Sequence, residues 1–167
     1  MFKTLNNIYS NEIRTYKMFW GLFVIVILFV LYTKQYLKKK SDFQVIQLEM
    51  SQITDETLMD KYPIYIEDRV IDVNDVIKTI FKYSYINRRD PTITGNVTRV
   101  NLSKYCVIHN SFDTEITVAI KNTTETVDFI IEPDRILVVP YMWEYTLDRT
   151  ITVVELFDMI HRLVHIV

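Results

Sequence analysis

The sequence predicts an α+β protein in which a single N-terminal transmembrane helix precedes a mainly antiparallel β-sandwich or jelly-roll-like domain. Three observations predict this fold class. An uncharged apolar run occupies residues 18–32, a helical stripe of apolar residues occupies 72–83, and short runs rich in Val, Ile, Thr and Tyr recur about every ten residues from 97 onwards. We therefore expect an N-terminal amphipathic segment at 1–15, the transmembrane helix at 16–37, a basic collar at 38–42 and a β-rich domain at 43–167.

The apolar run predicts a membrane anchor. None of its residues is charged. The run consists of Met18, Phe19, Trp20, Gly21, Leu22, Phe23, Val24, Ile25, Val26, Ile27, Leu28, Phe29, Val30, Leu31 and Tyr32. At ~1.5 Å per residue the run covers roughly 22 Å of a hydrocarbon core that is ~30 Å thick. Aromatic and lysine residues on both flanks can supply the remaining length. The alternative is a buried core helix. No small-residue cleavage site follows the run, so we expect it to be retained.

The distribution of basic residues predicts the orientation. The lysines that follow the run, and that set topology or contact lipid headgroups, are Lys34, Lys38, Lys39 and Lys40. The N-terminal side has one basic residue fewer, so we expect the C-terminal domain on the cytosolic side. A single cysteine, Cys106, agrees with this, since luminal domains often contain several. Three possible glycosylation sites, Asn96, Asn101 and Asn122, oppose it, because their use would place the domain in the lumen.

Capping and turn signals predict the order of elements after the collar. Thr54 caps a short helix, Pro63 begins a strand, and Asp72 or Asn74 caps a helix that extends to residue 83. Residues 86–96 are rich in turn-forming residues and predict a surface loop. We expect strands over 97–102, 104–109, 115–121, 126–132, 135–140, 142–147 and 150–157, and a helix over 158–167 that faces the core with Phe157, Ile160, Leu163, Val164 and Val167.

Composition and side-chain pattern give no support for catalysis. The net charge of -2 offers no electrostatic case for nucleic acid, and two glycines cannot build a phosphate-cradling loop. His109 is most simply a structural histidine near a strand end, and His161 and His165 form an exposed pair at helical spacing without a third ligand. We predict that the protein is not an enzyme and has no cofactor, no metal and no small-molecule substrate.

The segment 132–145, with the sequence EPDRILVVPYMWEY, resembles the late jelly-roll strands of cupin and JmjC-type domains. In that family a strand ending in proline is followed by an aromatic segment with an iron-binding histidine. Tyr145 stands at the position of this histidine. The earlier ligand pair of the family is also missing, because His109 is followed by Asn110 and Ser111. The resemblance therefore implies the strand pair and not the oxygenase activity.

The layout of the chain resembles that of small membrane proteins of large icosahedral double-stranded DNA viruses. The shared features are a short N-terminal segment, one membrane pass, a basic collar and a compact β domain. The resemblance implies a minor capsid protein of the inner virion membrane, with its C-terminal domain facing the capsid on the cytosolic side. Its expected partners are a lipid bilayer and other structural proteins, either a capsid lattice or neighbouring membrane proteins.

We expect partner contacts at Arg88 and Arg89, in the predicted loop, and at the aromatic residues Tyr141 and Trp143. An ordinary loop and a core aromatic are the simpler interpretations of these residues. Two other functions compete with the structural one. They are a membrane-tethered cupin-like enzyme, which would need clustered metal ligands, and a glycosylated surface binding domain, which would reverse the orientation.

Overall fold

The structure is a computed structural model that describes residues 2–38, 42–123 and 125–164, with side chains from Phe19 onwards. The chain divides into two compact units, Met1–Lys38 and Lys39–Val167, and each is described by itself.

The first unit contains the helix α1, Phe2–Tyr36. The helix is continuous over 35 residues, so the segment expected at 1–15 extends the apolar helix upstream. Within α1, the window Phe19–Tyr36 is long and apolar enough to cross a bilayer, and none of it is buried. The predicted N-terminal apolar helix is thus present.

The second unit is a mixed α+β domain with mostly antiparallel sheets, as the sequence predicts. Its helices are α2 (Asp55–Met59), α3 (Val73–Ile80) and α4 (Met159–Val164), with a 3-10 turn at Met50–Gln52. Its strands are β1 (Ile46–Leu48), β2 (Ile64–Ile66), β3 (Asn87–Arg89), β4 (Thr92–Ile93), β5 (Arg99–Val100), β6 (Tyr105–His109), β7 (Ile116–Lys121), β8 (Thr126–Ile131), β9 (Ile136–Pro140), β10 (Glu144–Leu147), β11 (Ile151–Thr152) and β12 (Val154–Phe157).

Three sheets organise these strands. The largest has the order β1-β2-β9-β6-β12-β3, the second β5-β10-β7-β8, and the third pairs β11 with β4. Every pairing is antiparallel except that of β1 with β2. The central strands β6 and β9 are almost entirely buried, which explains why their sequences are continuous apolar runs rather than alternating ones.

The six-stranded sheet contributes side chains to a hydrophobic cluster on each face, because successive strand residues point to opposite sides. On one face, Cys106 and Val139 join a cluster with Ile120 and Tyr145 of the four-stranded sheet. On the other face, residues such as Val107 join a second cluster, which includes residues of α2 and α3. The core of the second unit therefore consists of two clusters, one on each side of the six-stranded sheet.

Capping explains where the two helices of the second cluster begin. The Thr54 side chain accepts a hydrogen bond from the Thr57 backbone, and the Asp72 side chain accepts one from Asn74. Thr54 was predicted as a cap, and Asp72 was one of the two alternatives predicted for α3. From α3, the side chains of Val76 and Ile77 enter the core, followed by Phe81, as the apolar periodicity predicts.

Three local predictions are wrong. The segment 86–96, expected to be a loop, contains β3 and β4, which pair with distant strands at the end of the chain. The strand expected over 150–157 is interrupted at Val153, so β11 and β12 belong to different sheets. In α4 the buried side chain is His161, whereas Leu163 is 56% exposed, so the predicted buried stripe has the wrong phase. Residues 165–167, which include His165, lie outside the described part.

Candidate functional site

The apolar segment of α1 presents large hydrophobic side chains to its surroundings along its whole length. Exposure in this segment ranges from 41% at Ile27 to 65% at Trp20. Soluble proteins rarely leave an apolar surface of this extent uncovered. The segment can therefore serve as a site for lipid or for another apolar surface.

Aromatic rings cluster near both ends of this segment. Trp20 and Phe23 make an edge-to-face contact with centroids 5.9 Å apart, and Tyr32 stacks on Tyr36 at 5.6 Å. Lys34 and Lys38 follow and are exposed. Amphipathic rings and lysine side chains in these positions suit the polar boundary of a bilayer. The collar residues Lys39 and Lys40 lie outside the described residues.

The two arginines predicted as partner contacts have different environments. Arg88 pairs with Asp90, with Nε 2.8 Å from the carboxylate, and its Nη1 donates to the Asn74 side chain at 2.6 Å. Arg89 is exposed, and its guanidinium lies 5.0 Å from the centre of the Phe157 ring. Arg88 thus ties β3 to the start of α3, whereas the guanidinium of Arg89 has no ion pair in the described part of the chain.

The two aromatic candidates also differ. Trp143 is fully buried, packs on Phe43, and donates from Nε1 to the Lys61 carbonyl at 3.1 Å. The expectation that Trp143 forms a surface contact is therefore wrong, because the core surrounds its indole ring. Tyr141 is partly buried, and its ring contacts the buried His161 ring at 4.6 Å.

Two of the three possible glycosylation sites are structural asparagines. Asn101 is 1% exposed; its Nδ2 donates to the Val139 carbonyl at 2.7 Å, and its Oδ1 accepts from Ser103. Asn122 is 0% exposed, and its Nδ2 donates to the Asp42 carbonyl. A glycan is attached through this amide nitrogen, so neither residue can carry one in this fold. Asn96 is exposed and has a positive φ of 60°.

The structure separates His109 and Tyr145, the two residues considered in the resemblance to cupin-like domains. His109 continues the row of β6 residues that faces the helices, and its Nε2 donates to the Val70 carbonyl at 2.7 Å. Tyr145 lies in the cluster on the opposite face of the sheet. Within residues 2–38, 42–123 and 125–164, no group of three His, Cys, Asp or Glu side chains is arranged to hold a metal ion.

The structure reveals a pocket that the sequence analysis missed. It has a volume of about 420 Å³ and opens where β3 and β12 of one sheet face β5 and β10 of the other. We call it the inter-sheet pocket; its lining residues are Arg89, Arg99, Val100, Leu102, Tyr145, Glu155 and Phe157. Strand register explains the assembly, since Arg89 pairs with Glu155 across β3 and β12, and Arg99 pairs with Tyr145 across β5 and β10.

Burial raises the pKa values of two lining residues of this pocket, Tyr145 and Glu155, and of Cys106 beside them. It raises the pKa of the Cys106 thiol to about 12, and it also raises the pKa of Tyr145. Both groups are therefore neutral at neutral pH. The Cys106 thiol donates a hydrogen bond to the Tyr145 hydroxyl over 3.6 Å. Burial raises the pKa of Glu155 as well, and Arg89 and Arg99 partly offset this effect.

A second, larger cleft lies beside β8, the edge strand of the four-stranded sheet. It has a volume of about 770 Å³, and most of its charged lining residues are acidic, including Glu49, Glu67 and Asp128. Arg135, also in this lining, pairs with Glu132 at 3.6 Å. The cleft and the inter-sheet pocket thus have opposite charge character.

Comparisons with protein-family models, with curated proteins and with solved structures give no significant match for this chain.

Proposed function

We propose that this chain is a single-pass membrane-anchored structural protein, in which α1 lies in a bilayer and the second unit binds a protein lattice or a neighbouring protein. The observation that carries the proposal is the uncovered apolar window Phe19–Tyr36. A buried core helix, the alternative interpretation, would have its apolar side chains covered.

The composition of α1 supports stable insertion. Near the centre of a bilayer, each Leu, Ile, Phe or Val favours insertion by ~0.3–0.6 kcal/mol, and residues 22–31 consist only of these four types. The aromatic pairs near both ends and the exposed Lys34 and Lys38 support an interfacial position for the flanks. These contributions add along the helix, so no single side chain has to supply the affinity.

Anchoring would increase the effective concentration of the second unit at its partner. A domain confined to a surface meets a lattice on that surface repeatedly, so weak contacts suffice when many copies act together. This function requires exposed contacts rather than a catalytic centre. Arg89 and Tyr141 stay candidates for such contacts, and so does the surface around β3.

The buried asparagines favour a cytosolic position for the second unit. A glycan at Asn101 would remove the hydrogen bond to Val139, and one at Asn122 would remove the hydrogen bond to Asp42. A domain that keeps both asparagines buried folds best where neither is modified. This supports the orientation predicted from the lysines, with the C-terminal domain on the cytosolic side.

A finer proposal concerns how the two larger sheets pack together and which membrane holds the chain. We propose that the two larger sheets form a β-sandwich related to the jelly roll, supported by the cluster that Cys106, Ile120 and Val139 share. We also propose that the membrane is the inner membrane of a large icosahedral virion and that the second unit faces the capsid. The support for this setting is the layout of anchor, collar and β-rich domain.

The proposal is tested on the full chain in its native membrane. Carbonate extraction measures integration, and lysine-directed cross-linking with mass spectrometry identifies neighbours in assembled particles. We expect the chain to resist extraction and to cross-link reproducibly through the second unit to one repeated structural protein. Release by carbonate would contradict the anchor. Assembled particles without a recurrent cross-linked neighbour would contradict the lattice-binding role.

A further inference from the structure

The inter-sheet pocket opens at the edge where both larger sheets end. Arg89 lies on β3, the last strand of the six-stranded sheet, and Arg99 lies on β5, the last strand of the four-stranded sheet. We infer that the inter-sheet pocket binds a small oxyanion, a phosphate or a carboxylate group, between the guanidinium groups of these two arginines. This inference goes beyond the proposed anchor, because it concerns only the second unit.

The two guanidinium groups are available to a ligand. Neither forms an ion pair or a hydrogen bond in the described part of the chain. By contrast, Arg88, Arg135 and Arg149 each contact a carboxylate at 2.8–3.6 Å. An arginine presents several N–H donors in a planar fork that matches a carboxylate or a phosphate. Two such forks around one pocket provide donors for both sides of an oxyanion.

Strand pairing determines where the two arginines lie. In the first sheet, Arg89 is the register partner of Glu155, and Glu155 is the partner of Cys106. In the second sheet, Arg99 is the partner of Tyr145. Cys106 and Tyr145 meet between the sheets through their hydrogen bond. Arg89 is therefore two strands farther towards the open edge than Cys106, and Arg99 is one strand farther than Tyr145.

Tyr145 contributes a neutral donor to the pocket. Its side chain is 2% exposed, and its hydroxyl accepts the hydrogen bond from the Cys106 thiol. No described acceptor takes the phenolic proton of Tyr145, apart from the sulfur atom itself. A hydroxyl that accepts from the thiol can still donate to a bound anion. Its neutral state avoids repulsion of that anion.

Glu155 is the one carboxylate in the lining, and it offsets part of the positive charge of the two arginines. Two arginines and one ionised glutamate leave a net positive charge. Burial raises the pKa of Glu155, so its ionised form is disfavoured at this position. The Phe157 ring contacts the guanidinium of Arg89 and limits its freedom to leave the pocket. These features suit a compact anion more than a large apolar ligand.

A different role for these arginines is the protection of sheet edges. Charged residues on edge strands discourage pairing with strands of other molecules. That role requires positive charge on β3 and β5 but no affinity for an anion. Binding measurements therefore distinguish the two roles directly.

The experiment uses the full chain in dodecyl maltoside, a detergent without a phosphate headgroup. Equilibrium dialysis with radiolabelled inorganic phosphate, and separately with radiolabelled succinate, measures binding at constant ionic strength. The variants are Arg89→Gln and Arg99→Gln. The matched control is Arg69→Gln, which removes the same charge at an exposed position outside the pocket. Near-UV circular dichroism confirms that each variant keeps its tertiary structure.

We expect saturable binding of at least one of the two anions to the wild type and to Arg69→Gln. Each pocket variant should bind about tenfold more weakly or worse, because a hydrogen bond to a charged group is lost. A preference for phosphate or for succinate identifies the class of ligand. The inference is overturned if neither anion binds saturably, or if folded Arg89→Gln and Arg99→Gln bind as tightly as Arg69→Gln.

Discussion

At the scale of single residues, several polar side chains have roles that depend on burial. Within the core, the Asn101 side chain forms hydrogen bonds with the backbone of β9 and of Ser103. The Nδ1 atom of the buried His161 lies 2.7 Å from an Asp158 carboxylate oxygen, and this hydrogen bond offsets the cost of burying the ring. Leaving such groups without partners in the core costs ~1–3 kcal/mol each. Their hydrogen bonds therefore specify the fold as much as the neighbouring apolar contacts do.

Gly95 is required because another part of the backbone approaches it closely. A Cβ atom at this position would lie 2.6 Å from the Cα of Arg149. We predict that Gly95→Ala lowers the free energy of unfolding of the second unit by ~1–3 kcal/mol, since the crowded backbone has to move. Chemical denaturation followed by near-UV circular dichroism measures this change.

Gly21→Ala is the matched control, because a Cβ atom at Gly21 would meet nothing within 4 Å. We expect it to leave the stability of the second unit unchanged. Equal stability of Gly95→Ala and the wild type would show that the contact with Arg149 relaxes without cost.

Glu155 should make stability depend on pH. Its pKa is raised in the folded protein from an ordinary value of 4.5, chiefly by burial, so the folded state binds this proton more tightly. Stability therefore falls as pH rises from about the ordinary value through the folded-state pKa. We predict that Glu155→Gln is more stable than the wild type at pH 7 and that this difference disappears towards pH 4.

Urea denaturation at several pH values measures this difference, with Glu125→Gln at an exposed loop position as the control. We expect the control to track the wild type. A Glu155→Gln variant that is less stable than the wild type at pH 7 would mean that attraction to Arg89 and Arg99 outweighs the effect of burial.

At the scale of elements, α1 differs from the other helices in how its apolar side chains are covered. The side chains of Val76 and Ile77 on α3 are buried, whereas the apolar window of α1 has no cover. Helices of the second unit are short and depend on their caps and on packing. The length and composition of α1 make it the only described element suited to lipid.

A charge at the centre of the apolar window should prevent insertion. We predict that Ile27→Arg shifts the free energy of insertion unfavourably by ~3–4 kcal/mol, from the difference between isoleucine and arginine near the bilayer centre. The fraction that resists carbonate extraction from microsomes should fall. Ile27→Leu keeps the apolar surface and should insert as the wild type does. Equal extraction of the two variants would contradict a transmembrane position for α1.

At the scale of the whole molecule, the chain divides into two units, and the proposed function assigns attachment to the first and recognition to the second. The first unit contains the apolar window, and the second unit contains two pockets of different charge character, one rich in carboxylates and one with two arginines. The pockets lie at opposite edges of the larger sheets, since one involves β8 and the other β5. The domain therefore presents surfaces of unlike charge at these two edges.

The orientation in the membrane is a property of the whole chain and gives a further prediction. After synthesis with microsomes, the full chain should show no mobility shift on glycosidase treatment, and added protease should digest the second unit. The reason is that a cytosolic domain keeps Asn101 and Asn122 unmodified and buried. A glycosidase-sensitive shift together with protection from protease would place the domain in the lumen.

Local patterns in the sequence determined much of the architecture. The charge-free run, the caps Thr54 and Asp72, and the short β-rich runs predicted α1, the helices α2 and α3, and most strands of an α+β domain. These features depend on residues that are neighbours in the chain. The long apolar helix was therefore the feature that the sequence predicted most directly.

Tertiary structure decided which side chains are inside and which strands pair. It placed Trp143 in the core, buried two possible glycosylation sites, and paired β3 and β4 with strands more than fifty residues away. It also brought Arg89 and Arg99 to one pocket, although local periodicity contains no signal for this arrangement. The physical reason is that register and burial arise from contacts between distant segments, whereas sequence patterns report only on neighbouring residues.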